Sequence, residues 1–375
     1  IDATSFYSTF NGCSGLTGSI PENLFANCTK TVGFYETFQS CKGLSGSIPE
    51  NLFKSCVNAT SFYGTFSGCS GLTGNIPEKI IANCSKVENV ANLFRNCSGL
   101  TGSIPETLFN NCTNAKDFGY VFSGCKNLTG NIPAGLFKNC VNANDYAATF
   151  EKCSGLTGNI PENLFENCPE VKWFYGTFSE CTNLTGTIPE KLFFNCMKVQ
   201  NFSGTFYKDK GLTGSIPGKL FENCPEVKWF QGPFAGCTGL TGEIPEGLFA
   251  NCTEVTSFGS SSSTAGGTDE YFYADLFSGC TGLTGEIPEN LFSNCTKVTC
   301  FYEAFCGCTG LTGISENLFE NCQNVTDFRL VFYGCTEMAG TAPDLWNRTN
   351  VKESSGCFSG CKKLTNYDAI PNKWK

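Results

Sequence analysis

The feature that most limits what this chain can become is a fixed interval. A cysteine three residues before the Leu of a Leu-Thr-Gly or similar tripeptide stands at Cys13, Cys41, Cys69, Cys97, Cys125, Cys153 and Cys181, gives way to Asp209, and returns at Cys237, always 28 residues apart. A second cysteine, placed after Leu-Phe or its equivalent, keeps the same step from Cys28 through Cys56, Cys84 and Cys112 to Cys252. After Cys237 the next member is Cys280, one step plus an insertion of 15 residues, and the array then tightens through Cys308 and Cys335 to Cys361. Recurrence of this length marks stacked coils, because each unit leaves an apolar face that only its neighbours can cover.

Phenylalanine obeys the same interval. One series runs without a lapse from Phe10 through Phe38, Phe66, Phe94, Phe122 and onward to Phe358. A second runs from Phe25 to Phe319 with Ile81 and Trp346 substituting, and a third from Phe6 to Phe328 with Val90 and Tyr146 substituting. These three series account for nearly all of the 35 Phe, which predicts three axial stacks inside a solenoid.

Within one unit, Leu72-Thr73-Gly74-Asn75-Ile76 alternates with period two and stops at Pro77, as expected of a short strand. Pro77-Glu78 suits the first turn of a short helix, with a carboxylate near the positive end of its dipole, and Cys84 follows at helical spacing. A second strand around Val87 and Val90 and another turn at Phe94 and Cys97 complete the coil. The expected fold is an α/β repeat solenoid, leucine-rich-repeat-like and right-handed, of about 13 coils, with parallel sheets joined by short helical turns. It is read as a single domain over 1–375, with an insertion loop at 259–273 and atypical terminal repeats over 309–375.

The phrases Thr-Phe-Ser-Gly-Cys-Ser-Gly-Leu-Thr-Gly and Asn-Leu-Phe-Ala-Asn-Cys-Thr resemble the BspA-like leucine-rich repeats of bacterial and protozoan surface proteins, and Leu-Thr-Gly-Ser-Ile-Pro is similar to the plant-type repeat. The likeness covers residues 1 to 365 and departs from the usual pattern in its 28-residue period and second regular cysteine. It implies surface display, adhesion or scaffolding.

Chemistry is constrained by what is missing. The chain has no His, which removes the commonest general base and every Ser-His or Cys-His nucleophile pair. With no Cys-x-x-Cys pair either, no metal site and no cofactor are expected. The net charge is -9 with no basic block, so nucleic acid is not an expected partner. No run approaches 18 apolar residues, so no membrane span is expected in this chain; if the protein is exported, its signal is expected upstream of Ile1. The series Glu22, Glu50, Glu78 and Glu106 is identical from copy to copy, which fits a structural role at a helix start better than acid-base work. The 26 Cys read as stacked thiols rather than as bridges within a coil, since losing one member at Asp209 would strand a partner. Lys208-Asp209-Lys210 reads as a surface ion pair, and the Asn before each second Cys as a buried ladder capping turn groups.

Two features are binding candidates. Thr73, Thr101, Thr129, Thr157 and Thr185 form an outward column with Ser, Asn or Thr two residues later. The insertion carries a Ser/Gly stretch followed by Asp269, Glu270, Tyr271, Phe272 and Tyr273, an aromatic contact at a loop tip. The resulting expectation is a non-enzymatic, extracellular or cell-surface repeat solenoid acting as adhesin or scaffold, with a protein or glycan ligand, or copies of itself, as partner. The alternatives are a specific recognition module and an ice-binding surface. Because the chain starts in mid-coil, a longer parent or a head-to-tail copy is expected at that end, whereas Lys362-Lys363 and Lys373-Trp374-Lys375 look like a finish.

Overall fold

A computed structural model describes residues 2–259 and 275–375. It contains two compact units, Ile1–Thr185 and Gly186–Lys375. The insertion residues Asp269 to Tyr273 lie outside the described residues.

In unit 1 the 28-residue interval is the inter-coil register. Parallel bridges link Ser5, Gly33, Ser61, Asn89, Asp117, Asp145 and Trp173 in one row, and a second row joins Gly46 to Leu72, Gly74 to Leu100 and Gly102 to Leu128. Both rows are too short in each coil to make extended strands. Unit 2 has the same bridges and, in addition, a three-stranded parallel sheet of β1 (Gly285–Glu286), β2 (Leu311–Ile314) and β3 (Ala339–Gly340), in that order.

The expected helical turns are absent: among the described residues the only helices are two three-residue 3-10 turns, Tyr367–Ala369 and Asn372–Trp374. In the segment read as a helix start, Leu24 N–H donates to Pro21, Ala26 to Asn23 and Cys28 to Phe25, at 3.0 to 3.2 Å. These are successive turns, one residue tighter than an α-helix closes. A segment this short does not repay helix nucleation on its own.

The segment before the first cysteine column shows where the backbone bonds go instead. The N–H groups of Phe34, Glu36, Phe38 and Ser40 donate to the carbonyls of Ser61, Tyr63, Thr65 and Ser67 in the following coil at 2.7 to 2.9 Å. Those of Thr37, Gln39 and Cys41 close local turns. Every second donor is therefore committed to a neighbour, and the zigzag needs left-handed backbone at Glu36 (φ 51°) and Ser40 (φ 60°). The coils beside Ser40 place Gly12 and Gly68 at its position, the residue for which that conformation carries no Cβ penalty.

The three Phe series lie inside. Phe66, Phe94 and Phe122 are fully buried, and successive rings of their column stack at 5.9 and 6.1 Å. Phe109 and Phe137 of the second series, 5.9 Å apart, lean against the same column, Phe109 on Phe122 and Phe137 on Phe150.

All 26 cysteines are free. In the first column the thiols from Cys41 onward donate to a Phe carbonyl of the preceding coil, as Cys69 to Phe38 at 2.9 Å, Cys97 to Phe66 and Cys125 to Phe94 at 3.0 Å. Cysteine suits this place because it is a small hydrophobe that keeps one weak donor for a buried carbonyl. Thiols of the second column sit farther from their carbonyls, as with Cys56 to Phe25 at 3.9 Å. Burial pushes the Cys69 and Cys125 thiols up to about 12, so they stay protonated and unreactive. Only Cys13 is exposed and Cys306 partly so. A thiol reagent applied to the folded chain is expected to label no more than these two, and all 26 in denaturant; intact mass reads both, and labelling of the buried columns in the native state would refute the packing.

Asp209, expected at the surface, is buried in the cysteine column. The column's position in the coil, rather than the flanking lysines, fixes its burial; the Lys208 ammonium lies 4.6 Å over the Tyr207 ring.

The last described residues pack onto unit 2. Trp374 is buried and its ring meets Phe328, Phe358 and Trp346 at 6.4 to 6.5 Å. The Arg348 guanidinium donates to the carbonyls of Phe319 and Cys322 in the coil before it.

Candidate functional site

The outer residues fall into columns of two kinds. Some are tied into the stack. Glu residues after Pro accept from the next coil: Glu22 from the Asn51 amide at 3.1 Å, Glu50 from Lys79 N–H at 3.0 Å, Glu78 from the Thr107 hydroxyl at 2.6 Å. The role is structural as expected, but the cause is a bond between coils rather than a helix dipole. The Asn before the second Cys, present in most coils, donates backward, Asn83 to Lys54, Asn111 to Ala82 and Asn139 to Asn110, at 2.6 to 3.1 Å. That ladder caps turn carbonyls, though Asn83 and Asn111 are exposed rather than buried. A shallow groove of about 1410 Å³ follows the Glu column in unit 1, with Ser47, Pro49, Glu50, Asn75, Pro77 and Glu78 among its lining residues.

The Thr column stands free. Thr73, Thr101, Thr129, Thr157 and Thr185 are all exposed, and each N–H donates to a Gly carbonyl of the preceding coil at 2.8 to 2.9 Å. Their spacing is that of the parallel bridges, about 4.8 Å.

The other kind of column carries the first bridge row of unit 1. Its residue type is set partly by local geometry. Side-chain oxygens of Ser61, Asn89, Asp117 and Asp145 accept the N–H two residues on, at 2.7 to 3.3 Å, the turn that Ser, Asn and Asp form most readily. Trp173 stands outside that rule. The row is half-buried from Gly33 to Trp173. The Asn89 amide donates to Asp117 at 3.2 Å, and Asp145 pairs with Asp117 across the next bridge.

Two carboxylates thus occupy adjacent coils on one face. Burial raises both above the usual range, Asp145 to about 7 with the Asp117 charge adding to the effect, while the Gly119 N–H and the Asn89 amide partly hold Asp117 down. Aromatic groups occupy the neighbouring columns of unit 1. Tyr7, Tyr35 and Tyr63 stack at 4.7 and 4.5 Å, the Arg95 guanidinium lies 4.5 Å over Tyr120, and the Tyr120 and Tyr175 hydroxyls meet at 2.6 Å. The groove described above does not include either Asp. Among the described residues no group of three or more Cys, Asp or Glu is arranged to hold a metal ion, and no helix is long and apolar enough to cross a membrane.

The Thr residues expected from the sequence therefore share one exposed column, while the Asp117, Asp145 and Trp173 face was not foreseen. Its signal was present as a departure from the repeat: acids and Trp at 28-residue steps where neighbouring copies carry Ser, Gly or Asn.

These coils, with parallel bridges and apolar axial stacks, define a leucine-rich-repeat solenoid. The chain belongs to the family described as Mycoplasma protein of unknown function, DUF285, whose model matches residues 4–135, 60–182 and 273–374. No curated protein matches it. Among solved structures it is similar to the plant peptide hormone receptor RGFR1 in complex with RGF2, at 22% identity and TM-score 0.50, over 90% of this chain and 53% of that one. The chain thus spans about half the length of that receptor chain. A leucine-rich repeat protein from Bacteroides ovatus is 17% identical with TM-score 0.42, over 100% of this chain and 86% of the other. A plant ice-binding protein is 17% identical with TM-score 0.48, over 80% and 78%. At these identities the likeness shows the fold alone.

Proposed function

We propose that this chain is a non-catalytic, extracellular or surface-displayed repeat protein whose unit 1 face around Asp117, Asp145 and Trp173 recognises a protein or glycan, an adhesin rather than an inert scaffold. The observation that supports this reading is the contrast between columns. Interior positions repeat the same Phe, Leu and Cys coil after coil, whereas the first bridge row reads Ser5, Gly33, Ser61, Asn89, Asp117, Asp145, Trp173. Packing accounts for the constancy of the interior. It does not call for a pair of acids and an indole on the outside of a frame that other copies build with Ser or Gly. Variable side chains on a rigid repeat are the usual way solenoids present a binding face.

The test is binding of the full chain to glycan and extracellular-protein arrays, with a triple variant carrying Asp117→Ser, Asp145→Ser and Trp173→Ser. Loss of the array signal by about tenfold or more, as expected when an aromatic anchor and its charged neighbours are removed, supports the reading; unchanged binding sinks it. The uninterrupted exposed Thr column favours a second reading, contact with a regular surface such as ice. An ice-recrystallisation assay separates the two: activity there, lost when Thr101 and Thr129 become Leu, would replace the first reading.

A further inference from the structure

The outer column one residue past the first cysteines reads Lys42, Ser70, Ser98, Lys126 in successive coils. These residues line a second shallow groove in unit 1, of about 580 Å³, which Arg95 enters from the coil of Ser98. Three coil steps separate the two lysines, about 14 Å at the strand spacing, with a serine on each rung between them. No Asp or Glu lines the groove, and no aromatic or aliphatic side chain does either, although the chain carries a net charge of -9. Lys42, Arg95 and Lys126 form no ion pair among the described residues. Arg95 is held by neutral groups: it donates to the Asn92 side-chain oxygen at 3.3 Å and lies over the Tyr120 ring. Gly68 and Gly124, both at positive φ, recess the lining, and a Cβ at Gly124 would strike the Asn96 side-chain amide. Packing does not ask for lysine here, since the same column carries Ser14, Ser154 and Thr182 in other coils.

We propose that this groove binds a linear anionic polysaccharide, one bearing carboxylate or sulfate groups along its length. The site is separate from the Asp117, Asp145 and Trp173 face, none of whose residues lines it. Cations with no counter-charge beside them are open to charge-assisted bonds with a ligand's anions. The Ser70 and Ser98 hydroxyls and the Asn96 amide both donate and accept, which matches sugar hydroxyls. An acidic peptide fits less well, because a protein partner draws its affinity from buried aromatic and apolar anchors, and this lining offers them no apolar seat.

The experiment is isothermal titration calorimetry of the full chain with polygalacturonate, dextran sulfate and neutral dextran, and with poly-glutamate as the peptide arm. Binding is expected with at least one of the two anionic polysaccharides, weakening as salt rises, and none with dextran; which of the two binds identifies the anion. Lys42→Ser with Lys126→Ser uses the residue that other coils carry in this column, so the unfolding transition is expected to stay in place while affinity falls about tenfold or more. Lys42→Arg with Lys126→Arg is expected to keep binding. The Asp117→Ser, Asp145→Ser, Trp173→Ser variant is expected to bind the polysaccharide as the unaltered chain does, so failure at one site leaves the other standing. Absence of binding to both anionic polysaccharides overturns the proposal, as does binding that survives removal of both lysines or disappears in the Asp117, Asp145 and Trp173 variant. Equal binding of dextran, or poly-glutamate bound as tightly as the polysaccharides, overturns it too.

Discussion

Phe122→Ala is expected to destabilise unit 1 by about 3–5 kcal/mol, the range for removing a buried ring and leaving its cavity. Phe122 is fully buried, stacked between Phe94 and Phe150 at 6.1 and 5.8 Å, with Phe109 inclined against it at 6.1 Å. The cavity cannot collapse, because the surrounding coils are held in register by their own backbone bonds: Phe94 N–H to Val121 and Phe122 N–H to Thr149, each at 3.0 Å. Phe122→Leu keeps most of the volume and is expected to lose roughly 1–2 kcal/mol. Denaturant unfolding followed by circular dichroism checks both; equal losses for Ala and Leu would mean that the column is not packed as described.

Asp145→Asn is expected to change how stability depends on pH. Burial, reinforced by the Asp117 charge, lifts the Asp145 carboxyl to about 7 in the folded chain, against about 3.9 when unfolded. A folded-state value above the unfolded one means that the folded chain holds this proton more tightly. The associated stability is fully present below pH ~4 and is lost as pH rises through ~7. Asp117, also raised by burial, acts in the same direction. Asn keeps the oxygen that accepts the Ala147 N–H at 2.7 Å but has no proton to lose. Because the side chain is only half-buried, the difference is discounted for solvent screening to about 2 kcal/mol in favour of the Asn variant at pH 8, with parity near pH 4. Chemical unfolding at the two pH values decides it: a variant no more stable than wild type at pH 8 would show that Asp145 is not held in this environment.

The repeat interval carried most of the architecture. Phe10 to Phe358 spells out a column because a residue that recurs at a fixed step on stacked coils must meet its own copies, and the structure places those rings together. The turns at Leu24 to Cys28 were a different matter. Residue spacing shows which side chains face inward, but not whether an N–H closes on the carbonyl three or four residues back, and that choice is what turned an expected helix into successive tight turns. Asp209 was misjudged for a related reason: its lysine neighbours suggested the surface, whereas its place in the cysteine column determined burial. The Asp117, Asp145 and Trp173 face escaped because attention to what repeats hides what departs from the repeat. The likeness to surface-protein repeats agreed with the solenoid fold, while the family shown is the DUF285 group.

The direction of the inter-coil bonds in unit 1 has an electrical consequence. In the coil from Val32 to Ser45, four donors, Phe34, Glu36, Phe38 and Ser40, point toward the following coil, while Val32 and Ser45 point back toward the preceding one. Two peptide dipoles per coil, each about 3.5 D, are left uncancelled along the stacking axis. Their sum over successive coils polarises unit 1, positive toward its later coils and negative toward its earlier ones. Dissolved ions and charged partners approaching at low ionic strength would sense that gradient from farther away than any single side chain, and salt would erase it over about 10 Å at 0.1 M.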